Sequence, residues 1–238
     1  MLRIAFPDHA IVFRSVNHAL NADVGDALRD TGYRAIFSRQ VYLLDPRTGL
    51  HPHKKSLRKD LSLAGHTPYT WIGAGALTAN DCKRLNRLYD NLYIDKYSLY
   101  NPQFTEAFFH EALSSDWLTL WTLRAEGRID GVLGFVQRQG VMTTPLIGYD
   151  RSLLPERGLY RLISLKLILE AERRGLILHQ SSGASRFKMH RGSDASIEHS
   201  YVFDLCYSCS NCTAGTPFTF SVPCRQAASA LRPGAGGS

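Results

Sequence analysis

The chain has 238 residues, 44% of them hydrophobic, with a formal net charge of +7. That length and composition specify one large domain or two small ones around a packed core and exclude wholesale disorder. No run of 18 or more apolar residues occurs, which excludes a membrane span of that kind. The opening Met1–Asp8 turns acidic too early for a secretory signal, so a cytoplasmic protein is expected.

Ala10–Asn17 reads as a strand. Asn21 is placed to cap a helix running to Thr31, with Gly32 as its stop. Tyr33–Phe37 and Gln40–Leu44 read as two short strands, followed by a turn at Asp45–Gly49. His51–Leu61 is strongly basic, and Lys55, Arg58 and Lys59 fall on one helical face. An anion contact and a solvated helix face both fit that stripe, and the solvated face is the expectation. No aromatic residue interleaves with it, which argues against a platform for single-stranded nucleic acid. Leu61–Ala76 reads as loop with a short strand at Tyr69–Ile72, and Gly73–Ala76 lacks the Lys-Ser/Thr of a nucleotide-binding loop.

A helix from Thr78 or Asn80 to Tyr93 carries Leu85, Leu88 and Leu92 on one side. Cys82, near that side, reads as a buried, inert thiol. Pro102 opens a further helix over Gln103–Leu113, in which His110 has no ligand partner at metal spacing. Trp117–Arg124, Ile129–Gln137 and Val141–Tyr149 read as strands joined by tight turns, and therefore antiparallel. Pro145 in the third demands a bulge, a splay or an edge position.

From Tyr149-Asp150 a loop leads to Arg157, and Gly158 opens a helix. Leu162, Leu165 and Leu169 repeat along it at helical spacing, and Gly175 is its stop. Leu176–Leu178 is a short strand, and Gly183–Gly192 a basic turn. A helix N-terminus presents unpaired amides and partial positive charge, and a glycine there admits a phosphate to the backbone. With Arg157 adding a cation, a pyrophosphate is expected on the amides of Arg157, Gly158, Leu159 and Tyr160.

Antiparallel strands, a phosphate-type turn, a helix and a strand form the central plan of the Gcn5-related N-acetyltransferase (GNAT) superfamily, which residues 78–205 resemble. Gly183-Ala184-Ser185-Arg186-Phe187-Lys188-Met189-His190-Arg191-Gly192 resembles the Gly-x-x-x-Tyr/Phe-Lys-x-x-Phe/Arg-Gly segment of its acetyltransferase-like and Fem-type aminoacyltransferase branches. Gly158-Leu159-Tyr160-Arg161 and Glu170–Leu176 also look like that family's helix. The resemblance implies an α/β fold with a GNAT-like mixed, largely antiparallel central sheet flanked by helices. Two central strands would splay where the strand ending at Tyr149 meets Leu176–Gln180.

The same resemblance implies an acyltransferase moving an acyl group from acyl-CoA, acetyl-CoA being the type case, to an amine or hydroxyl of a small-molecule or peptide-like acceptor, without a metal. The alternatives are a Fem-type aminoacyltransferase using aminoacyl-tRNA, which the positive charge and the basic run suit better, and a degenerate, non-catalytic binding protein. Lys188 is implied to face donor phosphate or the developing oxyanion. Acyl transfer needs a proton acceptor, for which Asp150, Glu156 and His179 are candidates, Asp150 and His179 being better placed. Tyr160 stands where the family usually has a small residue, which leaves the donor open.

Residues 1–77 read as an N-terminal α/β segment resembling part of a first GNAT-like half, and residues 78–205 as the acyltransferase domain. Residues 206–238 hold Cys206, Cys209, Cys212 and Cys224. The Cys-x-x-Cys-x-x-Cys spacing suits zinc or an iron–sulfur cluster, but the low-complexity sequence after it favours a disordered or non-native tail.

Overall fold

The computed structural model describes residues 2–48 and 55–203. His51, His53, Lys54 and the cysteine-rich tail lie outside them. In chain order the elements are α1 (Leu2–Ala5), β1 (Ile11–Asn17), α2 (His18–Asp30), β2 (Arg34–Leu44), α3 (Lys55–His66), β3 (Thr70–Gly73), α4 (Cys82–Tyr93) and α5 (Glu106–Ser114). β4 (Thr119–Ala125), β5 (Arg128–Arg138), β6 (Val141–Tyr149), α6 (Leu159–Arg174), β7 (Ile177–His179), α7 (Ser185–Met189) and β8 (Asp194–Phe203) follow. The described residues divide into two compact units, one formed by those between Arg39 and Ile197 and the other combining those up to Ser38 with Glu198–Phe203.

In the smaller unit β1 runs antiparallel to β8, with Ile11 opposite Phe203 and Asn17 opposite Glu198. Val16, Leu28 and Tyr201 form its core. The cap of α2 is Asn17 rather than the expected Asn21: the Asn17 side chain accepts from the Ala19 N–H. Asn21 leaves helical geometry (φ −147°, ψ 56°), and its side chain accepts from the Asn17 N–H at 2.8 Å. An extended residue at a strand end is the better cap, and the second asparagine competes by bonding backbone.

The larger unit is built on strands in the order β2-β7-β6-β5-β4-β3. Neighbours are antiparallel except β6 and β7, which are parallel, so the expected mixed, largely antiparallel sheet is present. Residues 39–77, grouped by sequence with the N-terminal segment, supply α3 and the edge strand β3 to this unit.

Successive strand residues face opposite sides, and the two cores show it. Leu133 and Phe135 of β5 pack with Ile163, Leu167 and Ile168 of α6. Val132 instead packs with Leu85, Leu88 and Tyr89 of α4 and Phe109 of α5. On β6, Met142 joins the α6 side and Leu146 the α4 side, although four residues apart they would share a face of a regular strand. A bulge separates them: Gly134 pairs with Leu146 and Val136 with Thr143, so Thr144 and Pro145 together oppose Phe135. Pro145, which has no N–H to donate, is accommodated there.

Other boundaries move for local reasons. The two strands expected over residues 33–44 are one, β2. Helix α3 continues to His66, past the expected stop at Leu61. Helix α5 begins at Glu106, where the Thr105 hydroxyl caps the Phe108 N–H, rather than after Pro102. The basic turn at Gly183–Gly192 contains helix α7, and β8 follows from Asp194. Leu169 is exposed, so α6 faces the sheet through Ile163, Leu167, Ile168 and Ala171.

Candidate functional site

β6 and β7 pair over three positions only: Val141 with Ile177, Met142 with Leu178 and Thr143 with His179. Beyond the bulge β6 runs on to Tyr149 while β7 stops, so the two strands part as the sequence implied. The candidate site surrounds that parting, within the larger unit.

On the β7 side, His179 closes the paired stretch. Its Nδ1 accepts from the Ser181 N–H at 3.2 Å, which places the proton of the neutral ring on Nε2. Ser181 has a left-handed backbone (φ 58°). Lys188 of α7, only 5% exposed, holds this turn: its Nζ donates to the carbonyls of Gln180 (2.7 Å), Ser181 (3.2 Å) and Ser182 (2.8 Å). All three ammonium protons are therefore engaged by backbone. Burial and then Arg39 push the Lys188 pKa down to about 8, while the three carbonyls favour its charged form.

On the β6 side, Asp150 follows the strand end. Its Oδ2 accepts from Arg84 Nη2 at 2.7 Å, and its Oδ1 accepts from the Ser152 N–H at 3.0 Å and the Ser152 hydroxyl. Burial alone would raise the carboxyl, but these hydrogen bonds outweigh it and hold the pKa at about 2. A carboxylate so acidic and so fully bonded is a weak base near neutrality. Arg84 also reaches Asp130, which accepts from Arg128 and the Tyr69 hydroxyl, and Arg157 donates to that hydroxyl at 3.4 Å.

Aromatic rings link β6, α6 and α7. Tyr149 lies 6.2 Å from Tyr160, Tyr160 lies 4.8 Å from Phe187, and the Arg191 guanidinium stacks 3.4 Å above Phe187. Burial, with Tyr149 next, raises the Tyr160 pKa to about 12. Tyr93, at the end of α4, is likewise raised to about 12, by burial first and then by its tyrosine neighbours. These phenols stay protonated and serve as neutral hydrogen-bonding groups.

Beneath them, Asp60 of α3, 1% exposed, joins three elements. It accepts from Arg161 of α6 at 2.6 Å and from Arg191, beyond α7, at 2.5 Å.

The start of α6 differs in detail from a phosphate cradle over residues 157–160. The N–H groups of Arg157 and Gly158 donate to the carbonyls of Leu154 and Pro155 in a 3-10 turn. The first helical bond runs from Leu162 N–H to the Gly158 carbonyl, leaving the amides of Leu159, Tyr160 and Arg161 as the unpaired set. Gly158 has φ 64°, and a Cβ added there would lie 2.5 Å from a methyl of Leu63. A leucine of α3 therefore fills the space that a side chain at this position would take. Leu159 is buried, and the Arg157 side chain is exposed.

Among the described residues, no group of three or more His, Cys, Asp or Glu is arranged to hold a metal ion, and no helix is long and apolar enough to cross a membrane. Cys82 is buried beside His110, with 3.6 Å between Sγ and Nδ1, and burial raises its pKa.

A mixed sheet whose one parallel pair parts at a bulge, beside the start of a long helix, is the frame of a GNAT-fold acyltransferase. Residues 54–189, more than half of the chain, match the family model described as an acetyltransferase (GNAT) domain, and the chain belongs to that family. Solved structures with the same fold include L-PGS from Bacillus licheniformis, 15% identical with a TM-score of 0.65, covering 87% of this chain and 73% of that one. FemX is 9% identical with a TM-score of 0.61, covering 84% of this chain and 73% of that one. The C-terminal domain assigned to a lysylphosphatidylglycerol synthetase from Agrobacterium fabrum is 13% identical with a TM-score of 0.62, covering 84% and 69%. A search of the curated proteins returned no match.

The structure thus joins His179 and Lys188 through the Gln180–Ser182 turn, anchors Asp150 at the end of β6, and runs the rings of Tyr149, Tyr160 and Phe187 from β6 past the start of α6 to α7. Sequence reasoning missed Asp60, Arg84, Leu63 and Tyr93 as members of this region. Pairing across 46 to 131 residues, as for Arg84 with Asp130 and Asp60 with Arg191, leaves no local pattern to read.

Proposed function

We propose that the protein transfers an aminoacyl group from the ester of an aminoacyl-tRNA to an amine or hydroxyl acceptor. The observation that carries this choice over acyl-CoA is the internal bonding of the Arg157 and Gly158 amides, beside which Leu63 fills the side-chain space of Gly158. A pyrophosphate cradled over residues 157–160 would need those two amides. An ester donor whose phosphates lie elsewhere does not. The Fem-type resemblance of Gly183–Gly192 and the basic character of the chain support the same reading. A lysylphosphatidylglycerol synthetase, by its name, likewise forms an aminoacylated product.

In this reading the acceptor attacks the ester carbonyl in the opening between β6 and β7, and the ribose oxygen leaves. The proton that the acceptor gives up ends on the ribose oxygen as the ester C–O bond breaks, and His179, at the end of the paired stretch, polarises that oxygen by hydrogen bonding while keeping its own proton. Lys188 acts through the Gln180–Ser182 turn that it holds, and that turn sets the His179 ring through Ser181. Asp150 holds the 150–158 loop through Arg84 and Ser152. The tyrosines contribute neutral hydrogen bonds and ring faces to the acceptor.

Thermal unfolding in millimolar acetyl-CoA and filter binding of aminoacyl-tRNA test the assignment. The expected result is no shift with acetyl-CoA and saturable retention of aminoacyl-tRNA. A clear stabilisation by acetyl-CoA would return the donor to the acyl-CoA class.

A further inference from the structure

We infer that the outward face of α3, formed by Lys55, Arg58 and Lys59, docks the phosphate backbone of double-helical RNA. This rests on the aminoacyl-tRNA reading and adds where the body of that donor lies.

All three side chains are exposed, and none pairs with a carboxylate among the described residues. They occupy the first turns of α3, which carries no acidic residue in its opening turn. Cations at that end meet the positive pole of the helix and are disfavoured there. The one carboxylate within α3, Asp60, is turned inward and bonded to Arg161 and Arg191, so it does not neutralise them. Three cations within about one helical turn, without counter-charges, leave a concentrated positive surface.

The position of α3 gives that surface a purpose. Leu63 rests on Gly158, and Arg161 donates to the Lys59 carbonyl at 2.9 Å, so α3 is fastened to the start of α6 at the candidate site. A donor whose ester enters between β6 and β7 has its nucleic acid body nearby, within reach of this face.

The composition of the face selects the form of the partner. No Phe, Tyr or Trp occurs in α3, so it offers no stacking platform for unpaired bases and contacts phosphates instead. An anionic membrane is the weaker match. Leu57 is buried and Leu63 packs inward, leaving Leu61 as the one large apolar residue well exposed on the helix. A membrane-surface helix needs a continuous apolar face.

The test is fluorescence anisotropy of a labelled RNA hairpin across a salt series, comparing wild type, the triple variant Lys55→Ala/Arg58→Ala/Lys59→Ala, and the control Lys83→Ala/Arg87→Ala on α4. Circular dichroism checks that each is folded. In the triple variant the slope of log K against log salt is expected to fall by about 2–3, since each duplex phosphate contact contributes about 0.9. Affinity near 0.1 M salt is expected to weaken about tenfold or more, with the control unchanged. An unaltered slope in the triple variant, with wild type still binding, would overturn the docking face and leave the donor assignment standing. Wild type that binds neither hairpin nor aminoacyl-tRNA would remove both. Vesicles containing phosphatidylglycerol serve as the second probe: binding lost in the triple variant while RNA binding persists would overturn the inference in favour of a membrane.

Discussion

Replacing Gly148 by alanine tests how closely α4 is seated on β6. The added Cβ would lie 2.5 Å from the Leu88 carbonyl carbon and 2.6 Å from both the Leu88 oxygen and the Tyr89 nitrogen. All three are backbone atoms of α4, so no rotamer change relieves the overlap. Ordinary contact begins near 3.4 Å, and the helix must withdraw by roughly 0.9 Å or the strand must bend. The withdrawal loosens Leu85, Leu88 and Leu92 in the core and draws Arg84 from Asp150, now at 2.7 Å. Overpacking of this kind costs about 3 kcal/mol, at the upper end of the usual range. The corresponding fall in melting temperature is about 6–12 °C for a unit of this size. Gly134→Ala is the control, because its Cβ would meet only side-chain methyls of Leu118 and Leu146, at 3.1–3.2 Å. Urea unfolding followed by circular dichroism measures both variants. A Gly148→Ala protein within about 0.5 kcal/mol of wild type would refute the reasoning.

Asp60→Ala leaves Arg191 buried without its carboxylate, and a loss of about 3–5 kcal/mol is expected by chemical denaturation. A loss no larger than that of a surface ion pair would show that α3 is not held by this node. Glu170, bonded to Lys166, Arg173 and Arg174, has its pKa held at about 2 although burial opposes the shift. A depressed carboxyl stabilises the fold above its unfolded pKa and loses that contribution as pH falls through the folded value. Stability is therefore expected to fall by roughly 2–3 kcal/mol between about pH 4.5 and pH 2, allowing for the exposed Arg173. Glu170→Gln should flatten that part of the acid-unfolding profile, and an unchanged profile would discard the assignment.

Much of the larger unit was legible along the chain. Alternation and tight turns placed β4, β5 and β6 to within two residues, and the Pro145 bulge followed from the missing N–H of proline. Gly175 ended α6 as expected, because its left-handed φ of 65° suits glycine. The Phe187-Lys188 segment identified the family, since its spacing lies within ten consecutive residues. Errors clustered where local signals compete. Asn17 and Asn21 both offer a capping side chain, and Pro102 and Thr105 both offer a helix start.

The chemistry of the site was less legible. Sequence supplied the residue types at its edge, but only packing decided which atoms remain available. Lys188 reads locally as a cation for donor charge, yet its protons meet three carbonyls on a turn six to eight residues upstream. Asp150 reads as a base, and Arg84 on α4, 66 residues earlier, makes it a bonded anchor. Gly158 reads as a phosphate-admitting glycine, yet its own N–H is spent on the Pro155 carbonyl. Local order reflects short-range conformational preference and hydrophobic period, which the chain carries in itself. The donor preference argued above depends on side chains brought together across the sheet and its helices, and burial and hydrogen bonding there decide what each group can still do.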